Sequence, residues 1–310
     1  MLTDFGGDKA FGKVPKKLKE HYGIEVPVSM ARQITEMHGE AMRLRAEEEM
    51  TRQVPTKGKQ GVELLIAEMD GSMLPIVEIA PQTEGAPADG RKRRQLGWTE
   101  ARLCLARDPG KVKGHYGGTL GGPEQAGDHL VNCVVEAGGG KSTKLHGLGD
   151  GAPWIVGQVR ERFGPLANYL IDFCHMSQYL TAAGEAIAGK PQSEWLHQQK
   201  ERMKQSQVAE VLDELEDYVS PAQPEGPVPA CIRYLRNRID SFDYKSAIDV
   251  GLPIGSGEVE SGHGWIFQDR LKISGAWWKR ENLASMMALR LVSANNQWES
   301  YWQSVRQAAA

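Results

Sequence analysis

Hydrophobic spacing divides the chain into a helical beginning, a mixed middle and a helical end. Residues 8–21 place apolar side chains at helical spacing among lysines, and after a break at Gly23 a second helix is predicted from Ser29, as its N-cap, to about residue 52. Two helices joined by a short turn are the outline of a helix-turn-helix. Residues 1–55 are therefore predicted to form a separate segment that either contacts DNA or serves as a structural or dimerising helical pair.

After a linker at residues 55–61 the spacing becomes that of strands. Apolar runs bounded by turn residues predict a three-stranded meander. Its strands are expected at residues 62–70, at 73–80 after a tight turn at Gly71 and Ser72, and at 98–107. The glycine-rich residues 108–123 are predicted to be irregular.

From residue 124 onward, helices and strands alternate. The predicted elements are a helix at 124–137, a central strand at 144–150, a helix from Pro153, a short strand at 169–173 and a helix at about 176–188. A meander followed by strands that alternate with helices is the element order of an RNase H-like mixed sheet. The fold class predicted is therefore α/β, with this sheet flanked by helices.

The last third of the chain is predicted to be helical. The expected parts are an all-helical insertion at about 190–250, a helix that begins at Glu258 and extends toward Leu271, and a final helix at 279–307. Gly262 and Gly264 predict irregularity in the middle helix, because each glycine costs a helix interior about 1 kcal/mol. The RNase H-like domain is thus predicted to span residues 56–310.

The composition of the chain is that of a globular protein. A chain of 310 residues with 40% hydrophobic content can form a core, and no apolar run approaches the roughly 20 residues of a membrane span, so we expect a globular protein without a membrane partner. Four scattered cysteines and the lack of a secretory leader favour a reducing cytoplasm. The net charge of −3 does not by itself favour nucleic-acid binding, so clustering of basic residues matters more.

Three acidic residues lie where predicted elements begin or end. Asp70 ends a strand, Asp150 follows the central strand, and Glu260 lies in the first turn of a helix. Taken singly, they could be a turn residue, a helix N-cap and an acid favoured by the helix dipole. Gathered at one edge of a sheet, they would offer oxygen ligands to two Mg²⁺ or Mn²⁺ ions about 3.5–4 Å apart, an arrangement that catalyses phosphoryl transfer.

The strings around these acids resemble those of bacterial insertion-sequence transposases of the DDE class, in the group allied with Mutator-like elements. The strings are Met-Asp-Gly-Ser at 69–72, Leu-Gly-Asp-Gly-Ala-Pro-Trp-Ile at 148–155, Leu-Ile-Asp-Phe-Cys-His at 170–175 and Pro-Ile-Gly-Ser-Gly-Glu-Val-Glu-Ser at 253–261. The resemblance extends from about residue 60 to the C-terminus. It implies that Asp70, Asp150 and Glu260 bind the catalytic metal, with Glu260 preferred to Glu258 because the family's acid directly precedes a serine.

Further residues are predicted to assist. Asp172 and His175 match a D-x-x-H element of the same family, and they either orient a metal ligand or a phosphate or are satisfied within the fold. Basic residues predicted to contact the DNA backbone are Lys16, Lys17, Arg91, Lys92, Arg93, Arg94, Arg270 and Lys272. The neighbouring Trp277 and Trp278 either stack on exposed bases or belong to the core.

The resemblance implies a DNA transposase that cleaves insertion-sequence ends and joins the freed 3′-hydroxyl to target DNA. Its expected partners are double-stranded DNA and further copies of itself on that DNA, in the cytoplasm of a bacterium and on the nucleoid when bound. The short segment before the sheet suggests an N-terminally truncated copy. A structure-specific nuclease of the same fold, and a non-catalytic DNA-binding remnant, are the alternatives.

Overall fold

A computed structural model gives the fold, and it describes residues 1–52, 60–83, 87–187, 192–219 and 224–309. Most of the linker predicted at 55–61, with the domain boundary beside it, lies outside the described residues. The start of the predicted insertion and residues 220–223 within it also lie outside them.

A five-stranded mixed sheet forms the centre of the described structure, in the order β3-β2-β1-β4-β5. The strands are β1 (Leu64–Ile79), β2 (Arg94–Arg107), β3 (His115–Thr119), β4 (Lys144–Gly149) and β5 (Ala167–Ile171). Strands β1, β2 and β3 form the antiparallel meander, whereas β4 and β5 run parallel to β1. The predicted fold class, an RNase H-like mixed sheet flanked by helices, is confirmed.

The predicted hairpin at Gly71 and Ser72 is wrong, because β1 runs straight through both residues. Gly71 pairs with Arg102 and Ser72 with Ala101, so both halves of the apolar run pair with the same neighbour, β2. A Cβ atom at Gly71 would lie 2.3 Å from Oε1 of Glu100, so this glycine permits a close approach rather than a turn. The meander's third strand is instead β3, within the stretch predicted to be irregular.

Helices surround the sheet. Their bounds are α1 (Leu2–Asp8), α2 (Val14–Tyr22), α3 (Val28–Arg52), α4 (Pro123–Glu136), α5 (Pro153–Phe163), α6 (Phe173–Ala186), α7 (Gln192–Lys204), α8 (Val208–Glu216), α9 (Pro227–Arg236), α10 (Tyr244–Asp249), α11 (Gly257–Gly262), α12 (Asp269–Leu271), α13 (Arg280–Ala294) and α14 (Trp298–Ala309). A π-helix, His263–Gln268, joins α11 to α12, which confirms the irregularity predicted there. The final helix predicted as one is two, since Asn296 between them has a positive φ of 57°.

Each face of the sheet has its own core. Cys104 contributes to a buried cluster that includes α4, α5, α6 and the helices of the insertion. Its neighbour Leu103 contributes to a second cluster with the π-helix and α13, because successive strand residues point to opposite faces. The sheet is therefore the middle layer of the molecule.

The N-terminal helices pack against the C-terminal ones. Met42 of α3 is buried with Leu289 of α13 and Tyr301 of α14. At Gly39 the helices are so close that a Cβ atom would lie 2.6 Å from the carbonyl oxygen of Ser285. Residues 1–52 are thus integrated with the last helices of the chain. Among the described residues, no helix has both the length and the apolar character needed to cross a membrane.

Candidate functional site

Asp70 and Asp150 lie at the same edge of the sheet, where β4 ends. Strand β4 pairs in parallel with β1 as far as Leu148 opposite Glu68, and each aspartate follows this last pair by two residues. At Gly149 a Cβ atom would lie 3.1 Å from the carbonyl oxygen of Met69, so the strands are still in contact there. The prediction that Asp70 ends its strand is therefore wrong. Strand β1 continues past Asp70, and it is the neighbouring strand β4 that ends near this point.

The charge of Asp150 acts on Asp70. The pKa of Asp70 is raised to about 6, mainly by burial and also by the negative charges of Asp150 and Glu100, against the hydrogen bond from Gly71. Asp70 therefore holds a proton more readily than an isolated aspartate does. A divalent cation bound between the two would relieve this repulsion.

The turn after Asp150 is fixed by its own backbone. Oδ1 of Asp150 accepts a hydrogen bond from the Ala152 amide at 2.7 Å, and Gly151 adopts a φ of 81° that favours glycine. Pro153 then occupies the first turn of α5, where its missing N–H costs nothing. The sequence Gly-Asp-Gly-Ala-Pro thus ends β4 and starts α5, and this turn engages one of the two carboxylate oxygens.

Side chains of the helical insertion contact the backbone of the same turn. The hydroxyl of Tyr234, on α9, lies 3.4 Å from the Asp150 carbonyl oxygen, and Nε of Arg238 donates to the Gly151 carbonyl at 3.1 Å. The hydroxyl of Tyr169 accepts from the Gly151 amide at 3.2 Å. The insertion therefore contributes to the position of Asp150, a role that its helical pattern alone did not predict.

Glu260 reaches this region from α11 and is the most exposed of the three acids. Partial burial raises the pKa of its carboxyl, and the charges of Asp172 and Asp70 raise it further, whereas His175 lowers it. His175 lowers the pKa of Asp70 in the same way. These shared influences place Glu260, Asp70 and His175 in one electrostatic group.

The start of α11 is anchored by a buried glutamate that the sequence analysis missed. Oε2 of Glu68 accepts a hydrogen bond from the Val259 amide at 3.0 Å, and Oε1 is buried without a partner among the described residues. Burial raises the pKa of Glu68 to about 7. The signal was available in the sequence, since Glu68 is a charged residue inside an otherwise apolar strand.

A π-helix that begins three residues after Glu260 brings His263 close to Asp70. Nε2 of His263 lies 3.1 Å from the Asp70 carbonyl oxygen and 3.6 Å from its Oδ2. Burial lowers the pKa of His263, which favours the neutral ring, and Nε2 is the donor in this contact because a carbonyl oxygen can only accept. The π-helix is held by Arg290 of α13, which donates to the carbonyl oxygens of Ile266 at 2.9 Å and Trp265 at 2.6 Å. Such π-turns often occur at functional sites.

Asp172 and His175 are adjacent, but their side chains do not pair with each other. Asp172 is the N-cap of α6, and its Oδ1 accepts from the His175 amide at 2.7 Å. Its Oδ2 accepts from the amide and the hydroxyl of Ser256, at 2.6 and 3.0 Å. Asp172 therefore ties α6 to the loop before α11, and both of its oxygens are engaged in doing so.

The acids do not form a ready-made metal centre. Among the described residues, no group of three or more His, Cys, Asp or Glu side chains is close enough to hold a metal ion. The donor chemistry still fits a hard divalent cation, because Asp70 and Asp150 offer carboxylate oxygens at the same edge of the sheet, and the charge of Asp150 adds to burial in raising the pKa of Asp70. The three acidic side chains would have to come closer together to complete such a site.

The predicted DNA contacts have different environments. Lys16 and Lys17 lie on α2 and both pair with Glu20, at 3.7 and 3.1 Å. Arg91, Lys92 and Arg94 are exposed and Arg93 is half-buried, where the 3₁₀ helix Gly90–Arg93 leads into β2. None of these six residues lies on the strand ends or helices that carry Asp70, Asp150 and Glu260.

Arg270 was predicted to lie on a DNA-facing surface, but its side chain is buried. Its side chain is buried between the rings of Phe11 and Trp278, and Nε donates to the Gly6 carbonyl at 3.0 Å. Trp278 is core, one of the two alternatives considered, whereas Trp277 is exposed. Lys272 is exposed, with its Nζ 5.6 Å from the ring of Trp98. Burial of Arg270 depends on α1 and on the 3₁₀ turn that contains Phe11, so the local sequence could not indicate it.

Comparison with known proteins places the chain in a family. No curated protein matches the chain. The sequence model of an uncharacterised protein family, UPF0236, matches residues 136–306, which is more than half of the chain. The matched range contains Asp150, Asp172, His175 and Glu260, and it begins after Asp70. The chain therefore belongs to UPF0236, an uncharacterised protein family.

Proposed function

We propose that the chain is a metal-dependent DNA transposase of the DDE type. It would cleave DNA at the ends of a mobile element and join the freed strand to target DNA. The observation that carries the proposal is the parallel pairing of β1 with β4, which brings Asp70 and Asp150 to the same sheet edge, where the charge of Asp150 acts on Asp70 and that of Asp70 acts on Glu260. The association of UPF0236 with transposase-like proteins supports it.

Asp70, Asp150 and Glu260 would hold two Mg²⁺ or Mn²⁺ ions. When bound, such ions activate a water or a 3′-hydroxyl and stabilise the leaving oxygen during in-line phosphoryl transfer. The other residues of the site position these ligands. His263 holds the backbone at Asp70, and Glu68 and Asp172 fix the start of α11.

The test is cleavage and strand transfer by the full chain with Mg²⁺ or Mn²⁺. Substrates are labelled duplexes taken from the DNA that flanks its coding sequence, with a supercoiled plasmid as target. We expect cleaved ends and plasmid-joined products, and a loss of about 10³-fold in both for Asp70→Asn, Asp150→Asn and Glu260→Gln. Glu258→Gln, on the same helix two residues earlier, is the matched control and should keep its activity.

Other outcomes decide against the proposal. Full cleavage by Asp70→Asn would show that the metal site is wrongly assigned, and loss with Glu258→Gln but not Glu260→Gln would move the third ligand to Glu258. Cleavage of branched duplexes without joined products would indicate a structure-specific nuclease. DNA binding without cleavage in either metal would indicate a non-catalytic remnant.

A further inference from the structure

Strands β1 and β2 extend beyond the rest of the sheet. Strand β4 pairs with β1 only as far as Glu68, and β3 pairs with β2 only as far as Arg102, whereas β1 and β2 stay paired to Ile79 and Arg94. We call residues 72–79 and 94–101 the arm. Because the arm begins just past Asp70, it projects from the same sheet edge as the acidic pair.

One face of the arm carries large apolar side chains in the open. Trp98 lies opposite Pro75 and Leu96 opposite Val77, so these residues share a face. Trp98 is 52% exposed, Leu96 58% and Ile79 49%. The other face, with Leu74 and Ala101, is buried in the second core cluster. An exposed apolar surface of this kind on an otherwise packed sheet indicates a binding surface.

A loop beside the arm adds a second exposed tryptophan. Residues 272–279 run along the free edge of β1, where the Val77 amide donates to the Trp278 carbonyl at 2.7 Å. Trp277 is 38% exposed, and its ring meets that of Trp98 edge-on with centroids 6.0 Å apart. The two rings therefore form one aromatic surface that spans the arm and the loop.

The surroundings of this surface are basic. Lys272 lies over the Trp98 ring, and Arg94 is exposed opposite Ile79. A cavity of about 500 Å³ opens between the arm, the loop and the N-terminal helices. Its charged lining residues are the basic Arg32, Arg94, Arg270 and Lys279 and the acidic Glu36. The surface therefore favours an anionic ligand.

Arg270 strengthens that preference. It is only 2% exposed, lines the cavity, and has an Nη2 atom with no hydrogen-bond partner among the described residues. Burial lowers its pKa to about 10, which still leaves it charged at neutral pH. A buried cationic donor without a partner is costly unless an acceptor reaches it. A phosphate oxygen entering the cavity would be such an acceptor.

We propose that the arm and its neighbouring loop bind single-stranded DNA, with bases on Trp98 and Trp277 and phosphates on Lys272, Arg94 and Arg270. Stacking on exposed aromatic rings requires bases that are not already stacked in a duplex, so the surface selects unpaired strands. That the ligand is DNA rests on the proposed function. Trp98 lies opposite Pro75, which is five positions beyond Asp70 and about 17 Å along β1.

The experiment measures binding without catalysis. Fluorescence anisotropy with a labelled 20-nucleotide oligo(dT) and the corresponding duplex is recorded with the full chain in EDTA. We expect the single strand to bind more tightly than the duplex. Trp98→Ala and Trp277→Ala should each weaken its binding about fivefold or more, and Trp98→Phe should restore most of it. Trp265→Ala, which removes an exposed tryptophan outside the arm, is the matched control and should bind like the unaltered chain.

Two results would overturn the inference: equal binding of duplex and single strand, or full binding by both tryptophan-to-alanine variants. A sedimentation experiment covers the apolar alternative, because a dimer that Trp98→Ala dissociates would assign this face to a second copy of the chain. The outcome is separable from that of the proposed function. If the chain binds the single strand but does not cleave DNA, the proposed function fails and this inference stands. If it cleaves DNA in a way that depends on Asp70 but does not bind oligo(dT), this inference fails and the proposed function stands.

Discussion

At the scale of single residues, the unusual feature is a set of carboxylates whose surroundings favour the protonated form. Burial raises the pKa of Glu68 to about 7 and that of Asp70 to about 6. Neither shift arises from a neighbour in sequence. Glu68 contacts the start of α11 and Asp70 contacts His263 of the π-helix, so the burial behind both shifts depends on how distant elements pack.

Glu68 should make the stability of the metal-free chain depend on pH. Its folded pKa, about 7, lies above the ordinary value of 4.5, so the folded state holds the proton more tightly. The unfolded state loses that proton first as the pH rises, and the free energy of unfolding falls between about pH 4.5 and 7, by about 3 kcal/mol from this group. Glu68→Gln removes the titration and should flatten the curve by that amount.

Urea unfolding in EDTA across this pH range measures the difference between the two slopes. The control is Glu63→Gln, which alters an exposed glutamate just before β1 and should keep the slope of the unaltered chain. Parallel curves for Glu68→Gln and the unaltered chain would show that Glu68 is not held in a proton-favouring environment.

At the scale of elements, the loop before α11 is held in place by side chains from the sheet and from α6. Asp172 connects the first turn of α6 to Ser256, and His146 on β4 contacts the Pro253 carbonyl oxygen through Nε2 at 2.7 Å. The helix that carries Glu260 therefore starts at a point fixed by two other elements. This arrangement explains why a loop rich in glycine can still position a functional side chain.

Asp172→Ala should cost more than the loss of an ordinary helix cap. It removes the α6 cap and two hydrogen bonds from Ser256 to a buried carboxylate, so we expect the free energy of unfolding to fall by about 3 kcal/mol. Asp243→Ala removes the exposed N-cap of α10 and one exposed hydrogen bond from the Ser206 hydroxyl, and it should cost about 1 kcal/mol. Urea denaturation of both variants gives the comparison, and equal losses would mean that the Ser256 contacts add nothing.

At the scale of the whole molecule, the beginning and the end of the chain form one packed layer. Helix α3 lies on α13 and α14, and Arg290 of α13 contacts Asp8 while supporting the π-helix. The N-terminal segment therefore reaches the helix that holds His263 under Asp70. Substitutions at the interface between α3 and α13 should therefore change the free energy of unfolding of the complete chain.

Replacing Gly39 by alanine sets two effects against each other, the higher helix propensity of alanine and the close contact between α3 and α13. Alanine is favoured over glycine in a helix by about 1 kcal/mol, but here its Cβ atom would lie 2.6 Å from the Ser285 carbonyl oxygen. We expect Gly39→Ala to lower the free energy of unfolding by about 1–3 kcal/mol. Gly157→Ala, in α5 with nothing within 4 Å of its Cβ position, should instead raise it by about 0.5–1 kcal/mol.

Thermal and urea unfolding of the two glycine variants provide the measurement. Stabilisation by Gly39→Ala equal to that by Gly157→Ala would mean that α3 does not approach α13 as closely as described. Both variants replace a helical glycine by alanine, so the gain in helix propensity is the same in each. The difference between their free energies of unfolding therefore measures the effect of the contact between α3 and α13.

The element order was predictable because it depends on local periodicity. The strand at 144–150 and the helix from Pro153 were placed within a residue or two, since a buried run, a glycine and a proline mark their limits. The turn predicted at Gly71 and Ser72 failed for the opposite reason. Whether such a pair turns depends on which strand the flanking residues pair with, and that strand, β2, lies more than twenty residues further along the chain.

The fold class and the places of Asp150 and Glu260 at the ends of elements followed from the amino-acid sequence alone, because apolar spacing and turn residues act over a few neighbours. The packed structure was needed to show that Asp70 lies inside β1, that Glu68 and Arg270 are buried, and that the ring of Trp98 contacts that of Trp277. The physical reason is that register, burial and charge coupling are set by residues far apart in the chain. Such contacts exist only once the sheet, the insertion and the terminal helices have packed together.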